Sequence, residues 1–415
     1  MQPYPTFLCG ACVSMPRHFA QRLAGLPAPA TIEMARRARA LRDEGRQVIS
    51  LALGEPDFAT PPAVIEAAHA AALAGQTKYP PVDGTPALKA AVARKFLREN
   101  GLTYTPDEIM VSNGGKQVIF NAFMATLNTG DEVVVPTPYW VSYPLIARMF
   151  GGVPVYAPCH EADGFRLKAE ALAAVMTPRT RWVVLNFPNN PTGAVCSKAD
   201  LEAVADVLRA YPDVWILSDE IYEHLVFDGQ EFASLAAVAP DLKDRIVTLN
   251  GVSKAYAMTG WRVGFAGGPK DLIAAMRGVQ GNATSGVCSI AQAAATAALD
   301  GPADLVRDMA KTYSRRRTMV VEALRAIPGL TCAMPEGAFY AYPGVAGCLG
   351  RTTAGGTLLE TDRDFAVAFL EEENVATVPG AAFGLSPYLR FSCATDDKNL
   401  QEACARLSRF VKNLK

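Results

Sequence analysis

Lysine chemistry is written into the stretch Ile246–Gly267, IVTLNGVSKAYAMTGWRVGFAG. An apolar run ends at Asn250-Gly251, and Ser253, Lys254 and Arg262 follow within a dozen residues before a second apolar run. That pattern predicts a buried strand feeding a loop of small residues. A lysine that acts as an amine nucleophile must be partly desolvated and close to other cations, so that its free amine is accessible near neutral pH. A phosphate needs hydroxyl and arginine donors beside an unhindered backbone. Both requirements meet at Lys254, with Ser253 next to it and Arg262 eight residues on. Pyridoxal phosphate, held as a Schiff base, is a ligand that needs both.

Other runs end in polar residues that suit the same ligand. WVVLNFPNNPTG carries Asn190, and VWILSDEIY carries Asp219 with Tyr222 three residues on. A carboxylate following the apolar run Val214–Leu217 is costly unless a cation meets it. A protonated pyridine nitrogen is such a cation, and an aspartate there keeps the ring electron-withdrawing. EIMVSNGGKQVIF predicts a short strand, a Gly-Gly turn and a helix, whose free N–H groups at Gly115 and Lys116 suit a phosphate. The G-G-K lacks the earlier glycine and the following Ser/Thr of a Walker A loop, and no G-x-G-x-x-G opens a helix, which disfavours a nucleotide. Trp140 closes the run DEVVVPTPYW, where an aromatic plane is either core or a ligand stack. Arg390 lies in an apolar strand pattern, where its guanidinium needs a carboxylate to match its fork.

The string S-K-A-Y-A-M-T-G-W-R-V-G closely resembles the lysine motif of the class I aminotransferases of fold type I, and especially of the bacterial aspartate aminotransferase branch. Six separate motifs stand in family order, and the resemblance covers nearly all of the chain from Thr31 onward. It implies that Lys254 is the Schiff-base lysine and general base, with Ser253 and Arg262 on the cofactor phosphate. It implies that Trp140 stacks on the pyridine ring, that Asn190 and Tyr222 bond its 3'-oxygen, and that Arg390 clamps the substrate α-carboxylate near the backbone of Gly54. Tyr79 resembles the tyrosine that reaches a neighbouring subunit's cofactor phosphate, which implies a homodimer with shared sites. Lys116 and Thr31 fall where one subgroup binds the distal carboxylate of a dicarboxylic substrate, aspartate or prephenate. Rival readings are an aminotransferase for alanine, aromatic or other amino acids, a β-eliminating lyase, and a cofactor-sensing regulator domain. One departure is Cys393, where close relatives often carry tyrosine.

The composition fits that of a soluble enzyme. The chain has 415 residues, half of them apolar and a fifth charged, with net charge -1. Nothing there argues for nucleic acid or a membrane as partner, and no apolar run nears the ~18 residues of a membrane span. Nine cysteines, an odd and scattered set, predict reduced thiols and a cytoplasmic protein. Cys9 and Cys12 form a C-x-x-C without a second pair at zinc spacing, so no metal is expected. Residues 1–14 carry no charge, which predicts a disordered tail with Met15 as a candidate start.

Strands interleaved with helical stretches from Val111 to Ala266 predict an α/β fold with a mostly parallel sheet between helices. Ligands of such sheets sit beyond the strand carboxyl ends, where Asn190, Asp219 and Lys254 all fall. The family resemblance makes the sheet seven-stranded and adds a smaller α+β domain. The expected division is a tail over 1–30, a discontinuous small domain over 31–57 and 308–415, and a large domain over 58–307. Predicted helices include Pro62–Ala74, Pro86–Asn100 capped by Thr85, and one capped by Thr31. Strand-like pieces are expected over QVISLALGEPDF, Thr331–Met334 and Ala338–Tyr342.

Overall fold

The structure is a computed structural model that describes Ala20, Arg22 and residues 30–415, apart from the side chains of Ala30, Thr31 and Leu305. The tail expected over 1–14, with Cys9 and Cys12, lies outside the described residues. A short strand β1 (Ile49–Ser50) precedes the main sheet. That sheet is built from β2 (Ile109–Ser112), β3 (Glu132–Thr137), β4 (Val153–Pro158), β5 (Thr180–Asn186), β6 (Trp215–Asp219), β7 (Ile246–Gly251) and β8 (Gly264–Gly267). Its order is β2-β8-β7-β6-β5-β3-β4.

All neighbours run parallel except β8, which is antiparallel to both β7 and β2. The central strands are buried on both faces, which is why they read as unbroken apolar runs instead of alternating ones. The reversal of β8 matters for the site. Gly251 pairs with Gly264, so the chain that leaves the sheet with Lys254 re-enters at the same edge carrying Arg262. Ser112 also pairs with Gly264, which brings the Gly-Gly turn to that edge.

The N-terminal segment joins the C-terminal third. β1 pairs in parallel with β10 (Val375–Ala376), after β9 (Tyr340–Ala341) in the chain. β11 (Val378–Pro379), β12 (Leu389–Ser392) and β9 form a second, antiparallel sheet in the order β11-β12-β9. The Ser392 N–H donates to Leu51 O at 3.1 Å, which carries the chain on toward Gly54.

Helix limits follow the cap chemistry. Pro86–Asn100 is capped by Thr85, whose hydroxyl accepts from Leu88 N at 3.4 Å, and stops at Gly101 with φ 66°. Three expectations are corrected. The helix assigned to a Thr31 cap starts at Ala30, so Thr31 lies in its first turn. The strand over QVISLALGEPDF shrinks to two residues, because only Ile49–Ser50 find a partner strand. Thr331–Met334 contributes a single bridge, Thr331 to Gly344, and no strand. Among the described residues no helix is long and apolar enough to cross a membrane.

Candidate active site

Lys254 stands three residues past β7, and its Nζ donates to the carbonyl of Gly54. The amine lies 5.8 Å from the ring centres of both Tyr222 and Phe339. Burial, reinforced by the charge of Arg390, brings its pKa down to about 8, with Glu55 pulling the other way. A Cβ at Gly54 would press on Tyr340 Oη at 2.7 Å, so a side chain there would displace the tyrosine hydroxyl.

Asp219 ends β6, in a buried position. Its Oδ2 accepts from the Tyr143 hydroxyl at 2.6 Å and its Oδ1 from Ile221 N at 3.3 Å. Burial raises its pKa to about 6, and the bond from Tyr143 is the largest opposing influence. Asn190 lies four residues beyond the end of β5, in a loop, with its N–H donating to Asn186 Oδ1 at 3.1 Å. The Asn190 side-chain oxygen accepts from Arg390 Nη1 at 3.1 Å, and Arg390 Nη2 donates to Ala52 O at 2.6 Å. The guanidinium sits between aromatic faces, 4.8 Å from the centre of Tyr340 and 5.0 Å from that of Phe383. Its Nε is buried without a partner among the described residues. The hydroxyls of Tyr222 and Tyr340 are 2.9 Å apart.

Around the Gly-Gly turn, missing side chains let backbone and guanidinium approach closely. Gly114, at φ +82°, caps the helix Gly115–Thr126, and a Cβ there would run into the Arg262 guanidinium. A Cβ at Gly264 would overlap the backbone of Gly114 and Gly115. Arg262 has left-handed backbone angles, φ 58° and ψ 51°, and Nη1 donates to Thr259 O at 2.8 Å. Ser253 is buried beside Lys254. Lys116 Nζ lies 5.1 Å from the Trp140 ring centre, and burial followed by the Arg262 charge lowers its pKa.

Gly115, Lys116, Trp140, Asn190, Asp219, Tyr222, Ser253, Lys254 and Arg262 thus follow the ends of main-sheet strands, and Gly54, from the segment after β1, and Arg390, from β12, join them through their bonds to Lys254 and Asn190. Two further expected residues are Tyr79, read as serving a neighbouring copy, and Thr31. Tyr79 is 95% exposed and makes no side-chain hydrogen bond among the described residues, and the Thr31 side chain is outside the description. Sequence reasoning missed Tyr143, Tyr340 and Gly114. Tyr143 had a signal, since it follows Trp140 by about one turn and their rings meet edge-on at 5.3 Å. Tyr340 had none, because its partners come from distant parts of the chain.

Known proteins resemble this chain almost end to end. Residues 46–407 match the family described as aminotransferase class I and II. The chain is 51% identical over 395 residues to an aspartate aminotransferase of Rhizobium meliloti, covering 95% of this chain and 96% of that one. It is 52% identical over 392 residues to an aspartate/prephenate aminotransferase of Cereibacter sphaeroides, covering 94% and 98%. A crystal structure of the aspartate aminotransferase from Rhizobium meliloti superposes with a TM-score of 0.94 at 50% identity, covering 96% of this chain and all of that one. One from Thermus thermophilus, solved with maleate, gives 0.88 at 42%, covering 95% and 100%. With a lysine, an aspartate and an arginine brought from three separate elements to one sheet edge, and with matches that run almost end to end, this chain belongs to the class I and II aminotransferases.

Proposed function

We propose that the protein moves the amino group of aspartate to 2-oxoglutarate, as an aspartate/prephenate-type aminotransferase that uses pyridoxal 5'-phosphate. One observation carries the reading. Lys116, Lys254, Arg262 and Arg390 gather at one crevice, yet none has a carboxylate within 4.0 Å among the described residues. Arg390 is buried and Lys254 half-buried, while Lys116 and Arg262 are exposed, and four like charges gathered without counter-ions suit a ligand that brings several negative charges. The glycine cradle, the orphaned Arg390 Nε and the buried Asp219 without a contacting cation fit a phosphorylated pyridinium together with a carboxylate substrate.

When bound, pyridoxal phosphate supplies an electron-withdrawing ring that stabilises negative charge at the substrate Cα. Asp219 would hold the ring nitrogen protonated, Trp140 would cover the ring face, and Asn190 and Tyr222 would bond the ring oxygen. Ser253, Arg262 and the N–H groups of Gly115 and Lys116 take the phosphate. Arg390, steadied by Asn190 and by Ala52 O, binds the α-carboxylate beside Gly54. Lys254, whose amine is partly deprotonated near pH 8, carries the proton to and from Cα. Lys116 and Thr31 meet the distal carboxylate, and the maleate in the Thermus thermophilus relative supports a dicarboxylate. The same reading divides the chain into an arm over 1–30, a small domain over 31–57 and 308–415, and a large domain over 58–307. It makes the protein a cytoplasmic homodimer in which the exposed Tyr79 serves the other copy's phosphate.

The test follows the absorbance of the bound cofactor as aspartate, glutamate, alanine, phenylalanine and arogenate are added in turn. Aspartate and glutamate convert it fastest, and Lys116→Ser raises the concentration they require by roughly tenfold, the loss of one charged hydrogen bond. Fast conversion by alanine or phenylalanine alone removes the dicarboxylate reading. Conversion that survives in Lys254→Ala removes Lys254 from its role.

A further inference from the structure

Among the described residues, one side chain holds Asp219 from outside its own turn. Tyr143, on the helix Ser142–Met149, is 2% exposed, and its hydroxyl donates to Asp219 Oδ2 at 2.6 Å, its sole side-chain partner among those residues. Asp219 is itself 5% exposed, so water has little room to replace that donor. The other oxygen takes only the long bond from Ile221 N. We propose that Tyr143 is a positioning residue, whose hydroxyl fixes the Asp219 carboxylate and keeps it ionised to meet a cationic ring nitrogen. The inference rests on the reading of Asp219 as the partner of that nitrogen.

Three observations support it. A charge-assisted O–H···O⁻ bond of this length is strong, and losing it would leave a buried carboxylate oxygen without its donor. The Tyr143 ring also meets Trp140 edge-on at 5.3 Å, so one turn of chain sets both the ring platform and the acid's donor. Finally, the titratable groups facing Asp219 are Tyr143 from this helix, Tyr222 from its own turn and Lys254 from the loop after β7. Tyr143 opposes the effect of burial on Asp219 more strongly than Lys254 does, and burial pushes its own phenol far up, so it stays a donor across the working range.

Tyr143→Phe removes one oxygen and keeps the ring. Pyridoxal phosphate affinity is measured on the cofactor-free full chain from pH 5 to 9, by the absorbance of the bound cofactor. The acid limb, assigned to Asp219 by its loss in Asp219→Asn, shifts alkaline by about one pH unit or more in Tyr143→Phe, with affinity recovering at high pH. Replacing Tyr143 by 3-fluorotyrosine, a more acidic donor, moves the limb the other way. An unmoved limb, or a loss equal at every pH as a packing defect would give, overturns the proposal. If the unaltered chain binds no pyridoxal phosphate, the cofactor reading fails on its own. The carbon-13 titration of the Asp219 carboxyl then decides, with an upward shift in Tyr143→Phe in favour and no shift against.

Discussion

The amine of Lys254 combines two properties that a single cause produces. Burial, with Arg390 close by, destabilises its ammonium form and brings its pKa to about 8. That gives a free amine for chemistry near neutral pH, and it weakens the cofactor-free fold. Below pH 8 the lysine is charged in both the folded and unfolded chain, so the full cost of the buried charge is present. Between about pH 8 and about 10.4 the unfolded chain binds more protons than the folded one, so stability rises with pH across that window. Lys254→Met in the cofactor-free chain is therefore expected to be more stable at pH 7, by up to roughly 3 kcal/mol, with the advantage gone near pH 10. Urea unfolding at both pH values checks it. A difference that stays constant from pH 7 to 10 would show that the ammonium is solvated.

Among the elements, β8 does most to assemble the site, because its reversed direction returns Arg262 to the edge where Lys254 leaves. The strand can lie there only if its first residue lacks a side chain. Gly264→Ala should cost about 1–3 kcal/mol, the usual penalty of overpacking, since the methyl meets immovable backbone at Gly114 and Gly115. Gly278, exposed in the helix Lys270–Ala283 with nothing within 4 Å of a built Cβ, supplies the contrast. Gly278→Ala should stabilise by roughly 0.5–1 kcal/mol through helix propensity. Thermal unfolding of both variants checks the pair, and equal effects would contradict the packing argument.

The same elements mark how far the sequence could be read. Unbroken apolar runs ending in Asn, Asp or Gly located β5, β6 and β7 and the residues beyond them, because doubly buried strands need no alternation. Thr85 and Gly101 bounded a helix by local chemistry alone. The direction of β8 was not legible, since side-chain periodicity is the same for either direction. Strands of two residues such as β1, β9, β10 and β11 are set by partners far along the chain, which no local pattern records. Asn190 was found by its motif though it lies in a loop past the strand, and Tyr340 went unseen because its polar partners, Tyr222 and Arg390, are remote in the chain.

At the scale of the whole molecule, the reading of the site is complete only with a second copy. Tyr79 is 95% exposed, and its phenol makes no hydrogen bond among the described residues. The same N-terminal stretch exposes Leu53, Phe58, Ile65 and Leu73, apolar side chains that a partner surface would cover. That stretch is also tied to the lysine loop, since Thr60 Oγ1 donates to Ala257 O at 2.8 Å and accepts from Trp261 Nε1 at 3.0 Å. A partner seated there would therefore lie next to the reactive amine. Mixing distinguishes shared sites from self-contained ones. Lys254→Ala lacks the amine, and Tyr79→Ala lacks the phosphate contact and should be weak at limiting pyridoxal phosphate. After co-refolding in equal amounts, half of the dimers are hybrids. Each hybrid has one site with both defects and one with neither, so about a quarter of all sites regain unaltered activity. If Tyr79 served its own chain, each hybrid would carry one site of each defective kind, and the mixture would show only the mean of its parents.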